Sequence, residues 1–182
     1  MKIKNLLTKC LTISILAVNI GFAQNWKPST AIIAFKIRHV AGATAEGTFK
    51  GFVGSVNFDA ENLATASLKA TIDTKTFETG SSLRDKTVKG DSYFDVEKYP
   101  KITMVSTKIE KGANPDSYIG TFDLTIKETK KSVQFPFTFT KNGKEGQFKG
   151  SFSLNRIEYG VGGKSFMLND KPTIFITLNV VQ

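Results

Sequence analysis

Beyond residue 23, large apolar side chains recur at every second position in run after run. Ile33, Phe35, Ile37 and His39 share one phase, as do Phe52, Gly54, Val56 and Phe58. Leu68, Ala70 and Ile72 form a third run, and Gly120, Phe122, Leu124 and Ile126 a fourth. Val133, Phe135, Phe137 and Phe139 follow, then Phe148, Gly150, Phe152 and Leu154, then Ile174, Ile176, Leu178 and Val180. Strand side chains alternate between faces, so each run has one apolar face and one wet face. Many such strands, with little helix to cover the apolar side, must close on themselves. The expected fold is all-β: an eight-stranded antiparallel barrel. Its strands are read at about 30–40, 46–58, 63–74, 101–110, 117–127, 131–141, 145–156 and 173–181. Turn-formers separate them, among them Asp59-Ala60-Glu61-Asn62 and the hairpin signal Asn142-Gly143.

The alternation fails between Thr79 and Val96. Ser82-Leu83-Arg84-Asp85 reads as an acidic capping box and Gly90 as a helix end, so a short helical segment over about residues 80–96 is expected to cap one end of the barrel. A second irregular stretch, 157–172, carries Gly160, Gly162 and Gly163.

Residues 1–23 have the form of a signal peptide. Lys2, Lys4 and Lys9 precede an apolar stretch at 11–20, and Gly21-Phe22-Ala23 offers small residues for cleavage after Ala23. A periplasmic or secreted protein with one domain over 24–182 is the expectation. Cys10, the only cysteine, leaves with that peptide, which removes disulfides, thiol catalysis and cysteine metal sites from the mature chain. Three of the 25 basic residues leave too, so 22 stand against 16 acidic ones, a net of +6. The lysines are scattered, which argues against nucleic acid and allows transient contact with a membrane surface. An open strand edge would permit a homodimer.

Eight strands is the size at which a barrel either fills with side chains or holds one small ligand. Glycine and alanine at inward positions (Gly54, Ala70, Gly120, Gly150) point to unfilled volume. His39, the only histidine, falls in the inward phase near a strand end, with no nucleophile or carboxylate constellation that would make it catalytic. A polar role at the cavity rim fits it better. Arg84 reads as part of a helix cap with a surface ion pair to Asp85, or as a guanidinium at the cavity mouth.

The chain resembles the YceI-like family of exported bacterial proteins over nearly all of its mature length. The resemblance is carried by Phe35-Lys36-Ile37-Arg38-His39, by Gly47-Thr48-Phe49 with Phe52-Val53-Gly54, and by Thr79 followed by Leu83-Arg84-Asp85. Further along it rests on Tyr93-Phe94-Asp95, Tyr99-Pro100-Lys101-Ile102-Thr103-Met104, Gly120-Thr121-Phe122-Asp123-Leu124-Thr125-Ile126 and Asn155-Arg156-Ile157-Glu158-Tyr159-Gly160-Val161. Two positions depart from the family pattern: Glu128 stands where glycine is usual, and Met104 where phenylalanine is frequent. The resemblance implies a lipocalin-like barrel that takes a polyisoprenoid lipid, such as a prenyl quinone or polyprenyl phosphate, into its interior. No covalent cofactor, metal or catalytic residue is expected. The expected lining is Phe35, Ile37, Phe49, Phe52, Leu68, Met104, Phe122, Leu124, Phe137 and Phe152, with His39 and Arg84 as polar groups at the mouth. A lipid-modifying enzyme using the same cavity, and a ligand-free stress or interaction module with a solid barrel, are the rival readings.

Overall fold

The computed structural model describes residues 25–39 and 42–182, so the signal-peptide expectation lies outside the described residues. The strands are β1 (Asn25–Arg38), β2 (Thr44–Phe49), β3 (Gly51–Asn57), β4 (Ser67–Asp73), β5 (Lys101–Lys111), β6 (Ser117–Ile126), β7 (Thr129–Asn142), β8 (Glu145–Ser153) and β9 (Thr173–Val181), with one helix, α1 (Ser82–Lys89). Every pairing is antiparallel and β1 pairs with β9, which closes the sheet. The barrel has eight staves rather than nine because β2 and β3 are two halves of one bent strand. The expectation of an eight-stranded barrel therefore holds.

Three irregularities reverse the phase of the alternation, and each has a purpose in the packing. At Lys50 the bent strand kinks: the backbone N–H groups of Lys50 and Gly51 donate to Thr76 Oγ1 at 3.1 and 2.9 Å instead of to a neighbouring strand. The kink lets Phe49 and Phe52, an odd number of residues apart, both face inward. A bulge between Pro28 and Thr30 does the same in β1, turning Trp26 inward alongside Ile33 and Ile37. That is why β1 begins five residues earlier than its alternation suggests. The third, between Ser106 and Lys108, keeps Ile109 in the interior with Ile102.

The interior is divided along its axis. One end is solid. Phe58 is completely buried there, with ring centroids 4.9 Å from Phe139, 5.0 Å from Tyr118 and 5.2 Å from Phe148. Trp26 closes the same end, donating from Nε1 to the Phe58 carbonyl at 2.9 Å and meeting Phe139 edge-on. The other end gathers Ile33, Phe49, Phe77, Ile102, Leu124, Ile126, Tyr159 and Val161 in a looser ring. Met104, Val133 and Phe152 pack against both groups and mark the boundary.

The glycines do not make the hollow. A Cβ on Gly54 would lie 2.6 Å from the Phe52 ring, one on Gly120 2.3 Å from Phe122, and one on Gly150 3.1 Å from Phe135. Gly54 and Gly120 each leave room for a phenylalanine ring that a Cβ would strike, and at Gly150 the Phe135 ring is already in tight contact. Of the four small inward residues, Ala70 alone borders open space.

Candidate functional site

The hollow end is a cavity of about 510 Å³. Its wall comes from every stave except β7, and is almost wholly apolar. Phe35, Ile37, Phe49, Phe52, Met104, Leu124 and Phe152 lie on it, and His39 and Arg84 border its mouth. Leu68, Phe122 and Phe137 do not: they pack into the solid end, below the level of Met104 and Phe152. All three have the inward phase, so alternation could not separate them from true lining. Phase reports which way a side chain points, and says nothing of how far down the axis a hollow reaches. Ile33, Ile72, Ile102, Ile126, Ile174 and Ile176 add to the strand wall and share the same phase signal. Phe77 and Phe94 sit in the long connection between β4 and β5, where no period marks them. They are drawn in by ring contacts: Phe77 stacks on Phe35 at 5.3 Å, and Phe94 meets Phe49 at 5.7 Å.

The mouth is framed by α1, by the β1–β2 turn and by the 154–172 connection. Helix α1 starts one residue earlier than its capping box suggested, with Ser81 as the N-cap. Asp85 reaches past the cap to accept from the Thr79 backbone N–H at 2.8 Å and from the Thr79 hydroxyl. Arg84 also holds Thr79, donating from Nε to its hydroxyl oxygen at 2.9 Å and from an Nη to its carbonyl at 3.1 Å. The expected Arg84–Asp85 ion pair is absent among the described residues; the two side chains meet instead through the Thr79 hydroxyl, which donates to Asp85 and accepts from Arg84. Arg84 is thus a clamp on the mouth, with its fork largely committed. His39 forms an isolated bridge with Leu168, and its backbone N–H donates to Ala43 O at 2.7 Å.

Arg156, quoted above only within a motif, is the buried polar centre of the site. Its guanidinium donates to the carbonyls of Val161 (2.9 Å), Gly163 (2.9 Å) and Asn169 (3.2 Å), and pairs with Asp170 at 3.0 Å. A charge that far from water is tolerable only when so fully matched. Arg156 therefore fixes both feet of the 161–170 loop. Gly162 lies against it: a Cβ there would sit 2.7 Å from Arg156 Nη1, and the backbone φ is +70°. Lys127 provides a second tie, its Nζ donating to the carbonyls of Tyr93 (2.8 Å) and Gly160 (3.0 Å), so the α1 connection and the 154–172 connection are clipped to each other. No group of three or more metal-ligating side chains occurs among the described residues.

Beside this frame, Glu158 pairs with Lys131. The Lys131 hydrogen bond and charge, with a further bond from Asn155, hold the Glu158 carboxyl below its ordinary range. A carboxyl whose folded pKa is depressed stabilises the fold above its unfolded pKa and loses that contribution as pH falls. NMR titration should accordingly find Glu158 the more acidic in the native protein than in a denatured one, and Lys131→Met should return it toward the ordinary value.

The YceI-like domain matches residues 25–181 of this chain. The chain belongs to the YceI-like family. A UPF0312 protein of Photorhabdus laumondii is 33% identical over 127 residues, covering 69% of this chain and 65% of that protein. The chain thus spans a little under two thirds of the length of the curated relatives it matches. Among solved structures, BcnA of Burkholderia cenocepacia superposes with a TM-score of 0.78 at 29% identity, covering 82% of this chain and 95% of that one. A polyisoprenoid-binding domain from Saccharophagus degradans has the same barrel, with a TM-score of 0.68 over 88% of this chain and 99% of its own, at only 9% identity. At that identity the likeness is one of fold.

Proposed function

We propose that this YceI-like protein is an exported carrier that holds an isoprenoid lipid, a prenyl quinone or a polyprenyl phosphate, in its barrel without transforming it. The observation that carries the reading is the apolar cavity of about 510 Å³, open at one end and framed there by a few polar groups. An empty apolar hollow of that size would cost on the order of 10 kcal/mol at ~24 cal/mol per Å³. That rivals the ~5–15 kcal/mol net stability of a domain. An apolar guest removes the cost, and each CH₂ it buries contributes about 0.8 kcal/mol. The tail enters as far as Met104 and Phe152, where the aromatic plug begins, and a polar head remains beside His39 and the Thr79–Arg84 clamp. The family membership and the polyisoprenoid-binding neighbour with the same barrel both support a lipid as guest. Carriage rather than catalysis is favoured because the described wall residues form no nucleophile–base pair and Arg156, deep in the frame, is spent on loop carbonyls and Asp170.

The test is direct. Protein purified from the exported fraction and extracted with organic solvent should release a long-chain isoprenoid, identified by mass spectrometry at close to one per chain. Repeated recovery of lipid-free protein that also fails to take up a prenyl quinone would defeat the reading.

A further inference from the structure

The apolar side chains left in water are not spread evenly. Phe166 is 98% exposed, Leu83 77% and Met167 67%, three of the four most exposed large apolar residues among those described. All three stand at the cavity mouth: Leu83 borders it, and Phe166 and Met167 precede Leu168, which also borders it. The remaining ones, Ile32, Val53, Val105, Ile119 and Phe175, lie on strands, and only Ile32 and Phe175 among them are diagonal cross-strand neighbours. The display of the 164–168 tip is built rather than accidental. Arg156 holds the loop at Val161, Gly163, Asn169 and Asp170, and the Asn169 backbone N–H donates to Arg38 O at 3.0 Å, so the feet are fixed while the tip stands clear.

Charge completes the pattern. Lys164 is on the same tip, Lys86 lies one helical turn after Leu83, and Arg38 sits at the loop's foot. None of the three forms an ion pair among the described residues. The carboxylates around the mouth are occupied: Asp85 by Thr79, Asp170 by Arg156, Asp91 by Ser92, Glu46 by Lys36 and Glu78 by Lys50. An exposed ring and two exposed aliphatic chains flanked by free cations match the interface of a bilayer with anionic head groups.

We infer that the mouth end, through Phe166, Met167 and Leu83 with Lys86 and Lys164, docks on an anionic membrane surface, mouth toward the lipid. The purpose of docking rests on the carrier reading, since a tail could then pass from bilayer to cavity without crossing water. The binding itself does not.

Co-sedimentation of the mature protein with phosphatidylethanolamine–phosphatidylglycerol vesicles, against pure phosphatidylcholine, tests the inference. The protein should partition onto the anionic vesicles and release as salt is raised. The double variant Phe166→Ser/Met167→Ser should lower that partition at least tenfold, Lys86→Glu/Lys164→Glu should do likewise, and Val53→Ser should leave it unchanged. Wild-type protein that stays in solution with both vesicles, or a double serine variant that sediments as well as wild type, would overturn the inference. So would a wild-type dimer that the serine variant breaks in the absence of lipid, since the patch would then belong to a second copy. Prenyl quinone supplied from detergent should load the serine variant as well as wild type, and that arm separates the two readings. Vesicle binding without any loading would sink carriage and leave docking standing.

Discussion

Replacing Phe58 with alanine is expected to cost about 3–5 kcal/mol, the range for emptying a fully enclosed phenylalanine site. The side chain is completely buried, and four rings (Tyr118, Phe137, Phe139 and Phe148) stand around it within 6.2 Å. Those neighbours are carried by three adjacent strands, β6, β7 and β8, so they cannot collapse into the space without shifting the barrel. In thermal unfolding the loss reads as a drop of roughly 6–20 °C for a chain of this size. Phe52→Ala should cost much less, because that ring lies on the cavity wall and already has open space on one side. Equal losses at the two sites would mean that the interior is packed uniformly, and the division into a solid and a hollow end would be wrong.

Ala70→Trp should have the opposite profile. Ala70 lies between Gly54 and Met104 on neighbouring strands and faces the floor of the cavity. An indole there fills the hollow from below and shortens the space left for a guest. Loss of at least tenfold in affinity for a prenyl quinone, read by displacement of a fluorescent fatty probe, is the expected result. Stability should hold or rise, since the ring adds contacts without displacing any. In a filled core the same substitution would overpack and cost about 1–3 kcal/mol, visible as a lower urea midpoint. Undiminished uptake by the folded variant would place the guest somewhere other than this cavity.

What the residue order reveals follows from what a two-residue period can encode. Facing is local, so Phe35, Ile37, Leu124 and Phe152 could be assigned inward from their own strands. Depth is not local. Whether an inward ring meets another ring or meets space depends on strands far off in sequence, and Phe122 and Phe137 met rings. Gly54 and Gly120 misled for a related reason: the volume each gives up is taken by the phenylalanine two residues along its own strand. Phe77 and Phe94 carry no period at all. Arg156 was visible as a letter in a motif, yet its task of gathering four loop acceptors exists only once the chain has turned back on itself.

The ammonium of Lys127, shared between the carbonyls of Tyr93 and Gly160, acts beside the Gly162 N–H to Ser92 carbonyl bond at 3.0 Å to tie two segments of the aperture together. Lifting either segment strains the other, so on the carrier reading the aperture would widen as one concerted displacement.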